Sequence, residues 1–512
     1  MTEKEKALTK LRLEINKDID LAIFMAKSCG ILELRFFLYY VRIIRLKTLS
    51  ALTEEKTEKV SSLYFNAVED SMKYIISLIA KHGIQNDITP TKNKIPELKL
   101  QLVQELLKHI NYINSKYEIE STILLYKIEV SGERNQNLKV DLSCLDSDPQ
   151  IKILLNYFLR IDYDNDLRKR AQFNGNELFD IFKDEYLPVS DLFEKELGIS
   201  VDEFCWLFNE LIKQFLDKMR LVDSKFEKLA NGDIDIQSKK THNFLSNCFI
   251  HNEQEILNHF DSKFTPILKR LMFIPENFDE RQLRFHKVTR QPLIKFGKNL
   301  IISPELILDS LFLNTHYSLL ESQETKQEYI SKKSTQFLDL IVATANKFGY
   351  TETEREKDLY EGKKQIGDID IILKNDFGEY IFVEAKNHAL PMDVFFKNSE
   401  ETKKHLEYLQ KEWEKKVLKR VDHLKTEYKT YSLPKEHTYI VVSKYPEIIS
   451  HYSDILILSL HEFEVWLKDF KSDRTFNEFH KNYYESKEDW LSEKDIVDLQ
   501  DANLILGRYE KK

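Results

Sequence analysis

The feature that most constrains the fold is the segment from residue 366 to residue 388, which reads IGDIDIILKNDFGEYIFVEAKNH. Two short runs rich in β-branched and aromatic residues flank the polar sequence from Asn375 to Gly378, a combination typical of two strands joined by a turn. Successive side chains along a strand point to opposite faces. The segment therefore predicts a hairpin in which each strand has one apolar face and one face with charged side chains.

The alternation assigns the residues of this hairpin to its two faces. One face carries Asp368 and Asp370 on the first strand, and Glu384 and Lys386 on the second. Antiparallel pairing of the strands would bring Asp370 beside Glu384. The opposite, apolar face is predicted to comprise Ile369, Ile371, Leu373, Ile381, Val383 and Ala385.

Two neighbouring carboxylates and an ammonium group suit the hydrolysis of a phosphodiester. Carboxylate oxygens are ligands for a hard cation such as Mg²⁺. A bound cation acts as a Lewis acid and activates water, and an ammonium group can orient that water and stabilise the charge that develops on the phosphate. The pattern therefore predicts a metal-dependent phosphodiesterase site.

The arrangement resembles the PD-(D/E)xK nuclease superfamily, which has a restriction-endonuclease-like fold. The resemblance rests on GDID at residues 367–370 and on an apolar strand that ends in EAK at residues 384–386, and it covers residues from about 330 to 465. It implies that Asp370 and Glu384 bind Mg²⁺, for which Mn²⁺ can substitute. It also implies that Asp370, Glu384 and Lys386 form the catalytic group.

Two residues beside this group are secondary candidates. Asp368 lies on the predicted face of Asp370, at a position where relatives often carry glutamate. His388 follows Lys386 by two residues and would share its face if the strand continued. Its imidazole could assist proton transfer, although a place at the rim of the site is the favoured interpretation.

The helix before the first strand departs from the pattern of the superfamily. Many relatives carry a glutamate there, often directly after a phenylalanine, whereas in this chain Leu338 follows Phe337. Gln336 and Asp339 are the neighbouring polar residues. Each is predicted as a substitute for the missing carboxylate and is a further secondary candidate for the site.

A long charged helix is predicted from about Ser399 to Tyr428, after the hairpin. Acidic and basic residues recur at helical spacing, as with Glu412 and Lys416, which is typical of a solvent-exposed helix with ion pairs. A face that follows a phosphate backbone is the alternative interpretation. Within this region Arg420 is predicted to contact nucleic acid, as is Lys397 just before the helix.

The chain as a whole is predicted to be rich in helix because it has only 12 glycines and 11 prolines among 512 residues. The expected organisation is a helical domain at 1–130, a mostly helical domain with a small hairpin at 131–325, the nuclease domain at 326–470 and a helical tail at 471–512. The fold class is thus α+β overall, with a mainly helical N-terminal region followed by an α/β restriction-endonuclease-like domain with a mixed central sheet.

Several elements of the N-terminal region can be predicted individually. Pro96–Asn114 has the apolar spacing of a helix, and Ser200 is the predicted N-cap of another helix within Gly198–Met219. Residues 288–303 are predicted to contain a hairpin. The aromatic run at residues 36–46 is predicted to be a buried helix whose arginines extend to solvent, in preference to a surface that stacks bases.

Composition excludes several other classes of protein. The net charge of −9 does not favour unspecific coating of nucleic acid, although a local basic groove would suffice for binding. Four scattered cysteines without a CxxC pair argue against a thiolate zinc site and fit a reducing cytosol. The most apolar helical run, at residues 31–49, contains five charged residues, too many for a membrane span. We therefore expect a cytoplasmic protein without a membrane segment.

These observations together predict a Mg²⁺-dependent endonuclease that acts on nucleic acid, with DNA as the first expectation. The N-terminal region has no catalytic signature, so it is predicted to recognise substrate, to form homo-oligomers or to bind a partner protein. By analogy, a nuclease with a large sensing region suggests restriction or defence against phage. The competing hypothesis is a non-catalytic interaction protein built on a degenerate nuclease-like scaffold.

Overall fold

The described part of the chain divides into two units. The computed structural model describes residues 3–53, 60–85, 98–125, 130–131, 139–140, 153, 156–157, 160–161, 175–221, 248–281, 287–387, 391, 394 and 399–485. The helical unit comprises residues 5–120 and 170–329, and the sheet unit comprises residues 1–4, 121–169 and 330–512. Each unit is therefore assembled from separated stretches of chain, where the sequence predicts four consecutive domains.

The helices α1 to α11 belong mainly to the helical unit, and α12 to α16 belong mainly to the sheet unit. The long members coincide with stretches that lack proline in their interiors, as their helix propensity requires. In chain order the bounds are α1 Glu3–Ala26, α2 Ile31–Thr53, α3 Val60–His82, α4 Leu100–Leu125, α5 Gly175–Tyr186, α6 Ser190–Leu197, α7 Val201–Leu221, α8 Glu253–His259, α9 Thr265–Leu271, α10 Lys287–Arg290, α11 Pro304–Glu321, α12 Lys326–Asn346, α13 Ser399–Tyr408, α14 Lys415–Glu427, α15 Leu460–Asp469 and α16 Phe476–His480.

The strands of the described residues form three sheets. The pair β1–β2 is a short antiparallel ladder, the strands β3 to β6 form a small mixed sheet in the order β3-β6-β5-β4, and the strands β7 to β11 form a larger mixed sheet. Their bounds are β1 Val130–Ser131, β2 Lys139–Val140, β3 Ile250–Asn252, β4 Met272–Phe273, β5 Leu293–Phe296, β6 Asn299–Ile301, β7 Tyr350–Glu361, β8 Lys364–Asn375, β9 Tyr380–Lys386, β10 Thr438–Ser443 and β11 Leu456–Ser459.

Two local features that the sequence predicts for the helical unit, a helix cap and a hairpin, are present in the structure. The hydroxyl of Ser200 accepts from the main-chain N–H of Glu203 at 3.2 Å, and the carboxylate of Glu203 accepts from the N–H of Ser200 at 2.9 Å. This reciprocal pair starts α7, which confirms the predicted N-cap. The predicted hairpin is also confirmed as β5–β6, and its turn uses Gly297 in the left-handed region, at a φ of 62°.

The aromatic run in α2 is buried as predicted, but its arginines are not directed to solvent. Arg45 donates to Glu69 and Asp309, and both carboxylates also contact the ammonium of Lys73 at 2.9 Å. Arg42 pairs with Glu305. A guanidinium can remain in the interior when carboxylates from neighbouring helices neutralise it, and this need for partners overrides the tendency of arginine to extend outward.

The sheet unit is organised around a five-stranded sheet in the order β11-β10-β9-β8-β7. The strands β7, β8 and β9 pair antiparallel, and β10 and β11 continue the sheet in parallel with β9. The order along the chain is helix, three strands, helix and two strands. The mixed sheet with flanking helices that the sequence predicts after the helical N-terminal region is thus confirmed.

The strand β7 is the element that the sequence analysis missed. It spans Tyr350–Glu361 and reads YTETEREKDLYE, where charged side chains hide the alternation. It lies at the edge of the sheet, and most of its side chains are exposed or half-buried. Charged residues on an edge strand discourage pairing with other chains, which explains why this strand lacks an apolar signature.

Helices cover both faces of the sheet. On one face, α12, α15 and α16 pack on side chains that include Ile371, Leu373 and Val383. On the other face, α14 packs through Leu424 against Phe382. Each face thus has its own apolar core, and the charged ends of β8 and β9 lie on the side of α14.

The predicted alternation of β8 fails at one residue. Ile369 packs with Ile372, Phe382 and Leu424, on the α14 side, instead of sharing the core of Ile371. In β7, Glu356 lies between the residues paired with Ile369 and Ile371 and has a φ of 52°. A positive φ departs from strand geometry, so β7 is irregular beside the point where the alternation of β8 changes.

An upstream stretch contributes to the core of the sheet unit. Tyr157 packs in the cluster of Leu409 and Val441. Arg160 is fully buried, donates to Glu462 on α15 at 2.7 and 2.9 Å, and lies 4.0 Å from the ring centroid of Phe476. This unit therefore depends on residues that precede its sheet by about 190 positions in the chain.

The first part of the predicted C-terminal tail packs on the sheet unit. The helix α16 buries Phe476 and Phe479, while residues 486–512 lie outside the described part. Within the described residues no helix is both long and apolar enough to cross a membrane. Cys29, Cys205 and Cys248 are buried free thiols, and Cys144 lies outside the described residues.

Candidate active site

The acidic residues of β8 and β9 meet where the pairing of these strands ends. The last paired residues in that direction are Ile371 and Val383. One step further, the Oδ2 atom of Asp370 accepts a hydrogen bond from the main-chain N–H of Ala385 at 2.6 Å. Ala385 lies between Glu384 and Lys386, so the structure brings the three predicted catalytic residues together.

Glu384 is at the centre of this site. Its side chain is only 2% exposed. Its Oε1 atom accepts from Lys386 and, at 2.8 Å, from the guanidinium of Arg420. Its Oε2 atom accepts from the hydroxyl of Tyr439 at 3.3 Å. A buried carboxylate requires such donors. Without them, burial of the charge would raise the free energy of the folded state by an amount on the order of several kcal/mol.

Two further elements, β10 and α14, converge on Glu384. The parallel register pairs Val441 of β10 with Glu384, so Tyr439, two residues earlier, lies on the same face as Glu384. Arg420 comes from α14, which follows β9 in the chain. Since α14 packs on this face through Leu424, Arg420, one turn earlier, also faces the strand ends.

Lys386 has a more open setting than Glu384. Its side chain is 25% exposed, and its ammonium lies 5.9 Å from the ring centroid of Trp413. Trp413 belongs to a stretch of π-helix, Leu409–Glu414, between α13 and α14. Such π segments change the phase of a helix and frequently occur at functional sites. Lys386 thus contacts one carboxylate and one aromatic face.

The electrostatics of the site favour a bound cation. Burial and the neighbouring charge of Glu384 raise the pKa of Asp370 to about 7. The pKa of Asp368 is also raised, for the same two reasons. The buried carboxylate of Glu384 and the half-buried carboxylate of Asp370 repel each other, and a positive charge bound between them would stabilise both. The residues present therefore fit a divalent metal ion.

The available ligands indicate which kind of metal fits. Asp370 and Glu384 supply carboxylate oxygens, and Asp368 is near enough for its Oδ1 atom to lie 3.7 Å from Arg420. Among the described residues, no three His, Cys, Asp or Glu side chains are arranged as a complete metal site. Mg²⁺ commonly binds through one or two carboxylates and keeps several waters, so two carboxylates are a sufficient set for it.

The secondary candidates of α12 differ in their distance from the site. Asp339 is bound to Arg355 of β7 at 2.8 Å and is exposed, so it is directed to the edge strand. Gln336 accepts from Lys333 at 3.0 Å, and the main-chain oxygen of Lys333 accepts from Asn387, the residue after Lys386, at 2.5 Å. Gln336 is therefore the candidate of α12 that is connected to the end of β9.

Arg420 occupies a different setting from the surface contact that the sequence predicts. Its side chain is 8% exposed and is directed to Glu384, because the buried carboxylate needs a counter-charge. A contact of Arg420 with nucleic acid stays a prediction. The other two predicted positions, His388 and Lys397, lie outside the described residues.

The charged helix carries ion pairs, in agreement with the favoured interpretation of its pattern. Glu412 and Lys416 lie 3.9 Å apart at the predicted spacing, and Lys425 pairs with Asp422 at 2.7 Å. Lys419 pairs with Glu361 of β7 at 2.6 Å. This outer face is thus a solvent-exposed surface of mixed charge.

Sequence reasoning missed Tyr439 and Trp413 as parts of the site. Both lie outside the hairpin in the chain, and neither belongs to a sequence motif for catalysis or metal binding. Tyr439 could have been found only from the register of β10 against β9, since the parallel pairing sets its face. Trp413 could not have been found from a regular helical period, because the π segment alters that period.

Comparison of this chain with protein-family models, with curated proteins and with solved structures finds no match in any of the three.

Proposed function

We propose that the sheet unit is a Mg²⁺-dependent nuclease that hydrolyses phosphodiester bonds of nucleic acid, with DNA as the favoured substrate. The observation that carries this proposal is the meeting of two carboxylates and an ammonium group at the end of β8 and β9. Asp370 accepts from the N–H of Ala385 at 2.6 Å, and the flanking side chains of Glu384 and Lys386 contact each other.

The surrounding architecture supports the proposal. A restriction-endonuclease-like domain needs a mixed central sheet with flanking helices, and the sheet unit has a mixed five-stranded sheet with helices on both faces. The GDID and EAK sequences lie on adjacent strands of that sheet. Leu338, where relatives have a carboxylate, is buried in the core, so Gln336 is the proposed polar substitute on α12.

Each residue of the site has a chemical task in this proposal. Asp370 and Glu384 would hold Mg²⁺, or Mn²⁺ in its place, with Asp368 as an outer contact. The bound cation supplies Lewis acidity and activates water. Lys386 is 25% exposed, so its ammonium can leave Glu384, orient the attacking water and donate to a phosphate oxygen.

The remaining parts of the proposal concern substrate and context. Lys397 is a proposed contact for the phosphate backbone, whereas Arg420 is buried against Glu384. The helical unit, with its buried ion pairs and long helices, is proposed to recognise substrate, to form homo-oligomers or to bind a partner protein. By analogy with nucleases that carry large sensing regions, we propose a role in restriction or defence against phage.

The test is a cleavage assay with the full chain. Supercoiled DNA, single-stranded DNA and RNA are incubated with wild type, Asp370→Asn and Lys386→Ala, in Mg²⁺, in Mn²⁺ or in EDTA. We expect cleavage by wild type only with metal, and a loss of about 10²-fold or more in each variant, the usual effect of removing one group that stabilises developing charge.

Lys419→Ala is the matched control, since it removes an exposed lysine of the same domain. It should cleave like wild type. If wild type cuts none of the three substrates with either metal, or if Lys386→Ala cuts as fast as wild type, the proposal is wrong. The first result would leave a non-catalytic interaction protein on a nuclease-like scaffold.

A further inference from the structure

The environment of Arg420 extends the proposed function, on which this inference rests. The guanidinium has three contacts at the site: one nitrogen donates to Oε1 of Glu384 at 2.8 Å, and the other donates to the main-chain oxygen of Asp368 at 3.0 Å and lies 3.7 Å from its carboxylate. It therefore connects β8 and β9, the two strands that carry the acidic residues.

The backbone of β8 is shaped to admit this guanidinium. Gly367 has a φ of 128°, in a region that favours glycine. A Cβ atom added there would lie 2.8 Å from both Cδ and a terminal nitrogen of Arg420. Any other residue at position 367 would push the arginine away from Glu384. The glycine of the GDID sequence is thus explained by the space that Arg420 occupies.

Arg420 and Lys386 share one oxygen of Glu384 but differ in freedom. The side chain of Arg420 is 8% exposed, whereas that of Lys386 is 25% exposed. A guanidinium is charged at every accessible pH and presents a rigid fork, whereas an ammonium is a compact charge on a flexible stem. Lys386 can therefore exchange Glu384 for substrate, while Arg420 stays and holds the carboxylate.

The third donor of the guanidinium supports a positioning role. Among the described residues, the buried Nε–H of Arg420 has no hydrogen-bond partner. A buried donor without a partner is unfavourable, so the side chain is not placed to satisfy all its own hydrogen bonds. Its position instead satisfies Glu384, whose other donors are the ammonium of Lys386 and, at 3.3 Å, the hydroxyl of Tyr439.

We propose that Arg420 is a positioning residue, which holds the Glu384 carboxylate in the orientation required to bind the metal ion, and that Gly367 provides the space for it. Removal of the guanidinium lets Glu384 rotate away from Asp370. Neighbours that orient a metal ligand in this way typically change metal affinity by about 10- to 100-fold when they are substituted.

The experiment measures binding of Mn²⁺ alone to the full chain by electron paramagnetic resonance, without substrate. Arg420→Gln and Gly367→Ala should each weaken Mn²⁺ binding about tenfold or more. Arg420→Lys, which keeps the charge but loses the fork, should recover only part of the affinity. Near-ultraviolet circular dichroism of each variant verifies that it is folded, and Gly367→Ala serves as the test if Arg420→Gln does not fold.

Two matched controls separate the contact from general effects. Lys419→Gln removes one positive charge from the same helix, and Gly378→Ala places a side chain at a φ of 82° where no atom lies within 4 Å. Both should bind Mn²⁺ within about twofold of wild type, since surface charges and open positions contribute little. Their result isolates the effect of displacing Arg420.

The direction in which the Mn²⁺ affinity changes distinguishes a positioning role of Arg420 from simple charge balance. If Arg420 only balanced charge, Arg420→Gln would leave the site more negative and bind Mn²⁺ more tightly, and this result or an unchanged affinity would overturn the inference. The proposed function would survive that result if wild type binds Mn²⁺ and Asp370→Asn does not. If wild type itself binds no Mn²⁺, the proposed function is wrong and the inference fails with it.

Discussion

At the residue scale, burial decides the behaviour of the charged and titratable side chains of this protein. Glu384 is kept in the interior by an arginine, a lysine and a tyrosine. His251 on β3 is buried in the helical unit, where its Nε2 atom lies 3.2 Å from the main-chain oxygen of Cys248. Among the described residues no carboxylate favours its charged form, so its contribution to stability depends on pH.

Acid should destabilise the helical unit through His251. Burial, reinforced by the charge of Lys218, lowers the pKa of His251 to about 3. Because the unfolded chain binds the proton near pH 6.5, the stabilisation is present above that pH and is lost as pH falls towards 3. The expected loss from this group is about 1.4 kcal/mol per pH unit.

Chemical denaturation at pH 6.5 and pH 4.5 measures this effect. His251→Gln, which cannot titrate, should lose about 2 kcal/mol less than wild type over that interval. His259→Gln is the control, because His259 is exposed, and it should behave like wild type. Equal pH dependence of wild type and His251→Gln would show that His251 does not titrate as its burial requires.

The sequence was sufficient for the residues that lie in one local pattern. The alternation of two strands placed Asp370, Glu384 and Lys386 on one side of a hairpin, and the structure brings them together. The alternation could not show that Arg420, 36 residues after Glu384, would be buried against it. That contact depends on how α14 crosses the sheet. Contacts between distant elements are set by packing, and no local spacing encodes them.

At the element scale, hydrophobic pattern and capping explain which helices and strands could be predicted. The strand β10, Thr438–Ser443, has a clear apolar signature because its apolar residues are buried between two neighbouring strands. The edge strand β7 was missed because its charged residues face solvent on the open side. The π segment in the charged helix was also missed, since a deviation of one residue in phase leaves no compositional mark.

The N-terminal cap of α7 should make a measurable contribution to stability. Ser200→Ala removes the side-chain acceptor for the N–H of Glu203. The helical unit should lose about 1 kcal/mol of unfolding free energy, the usual cost of replacing a serine cap by alanine. Denaturant unfolding followed by far-ultraviolet circular dichroism provides the measurement.

Lys213→Ala is the control for this prediction, since Lys213 is an exposed residue of the same helix. Its effect should stay within about 0.5 kcal/mol, as for other surface substitutions. A Ser200→Ala variant as stable as wild type would mean that solvent replaces the cap without cost.

At the scale of the whole molecule, both units are built from segments that are distant in the chain. Residues 121–169 belong with the sheet unit, although the stretch that follows them returns to the helical unit. The ion pair of Arg160 with Glu462 spans 302 positions and is almost completely buried on both sides. The sequence predicts consecutive domains because domain boundaries are inferred from changes in composition along the chain. Such changes do not show which distant segments pack together.

Loss of Arg160 should destabilise the sheet unit strongly. Arg160→Ala leaves the carboxylate of Glu462 buried with Tyr484 as its hydroxyl donor, at 2.7 Å, but without a positive charge. Breaking one side of a buried ion pair typically costs about 3–5 kcal/mol. Thermal unfolding of the full chain, with limited proteolysis to locate the unstable unit, measures the loss.

Arg355→Ala is the matched control, because Arg355 pairs with Glu352 at 2.7 Å near the surface of the same unit. Its cost should be about 1 kcal/mol or less. A sheet unit that resists proteolysis equally in Arg160→Ala and wild type would show that the upstream segment is dispensable. In that case a fragment that begins at residue 330 should resist proteolysis as well as the full chain does.

The separation of Arg160 from Glu462 also has a consequence for synthesis of the chain. During translation Arg160 leaves the ribosome about 300 residues before the carboxylate that neutralises it. Contacts between such distant residues form late, because a long loop must close first. A nascent chain that has not reached Glu462 therefore lacks a finished sheet unit, and any activity of that unit begins only after Glu462 has been synthesised.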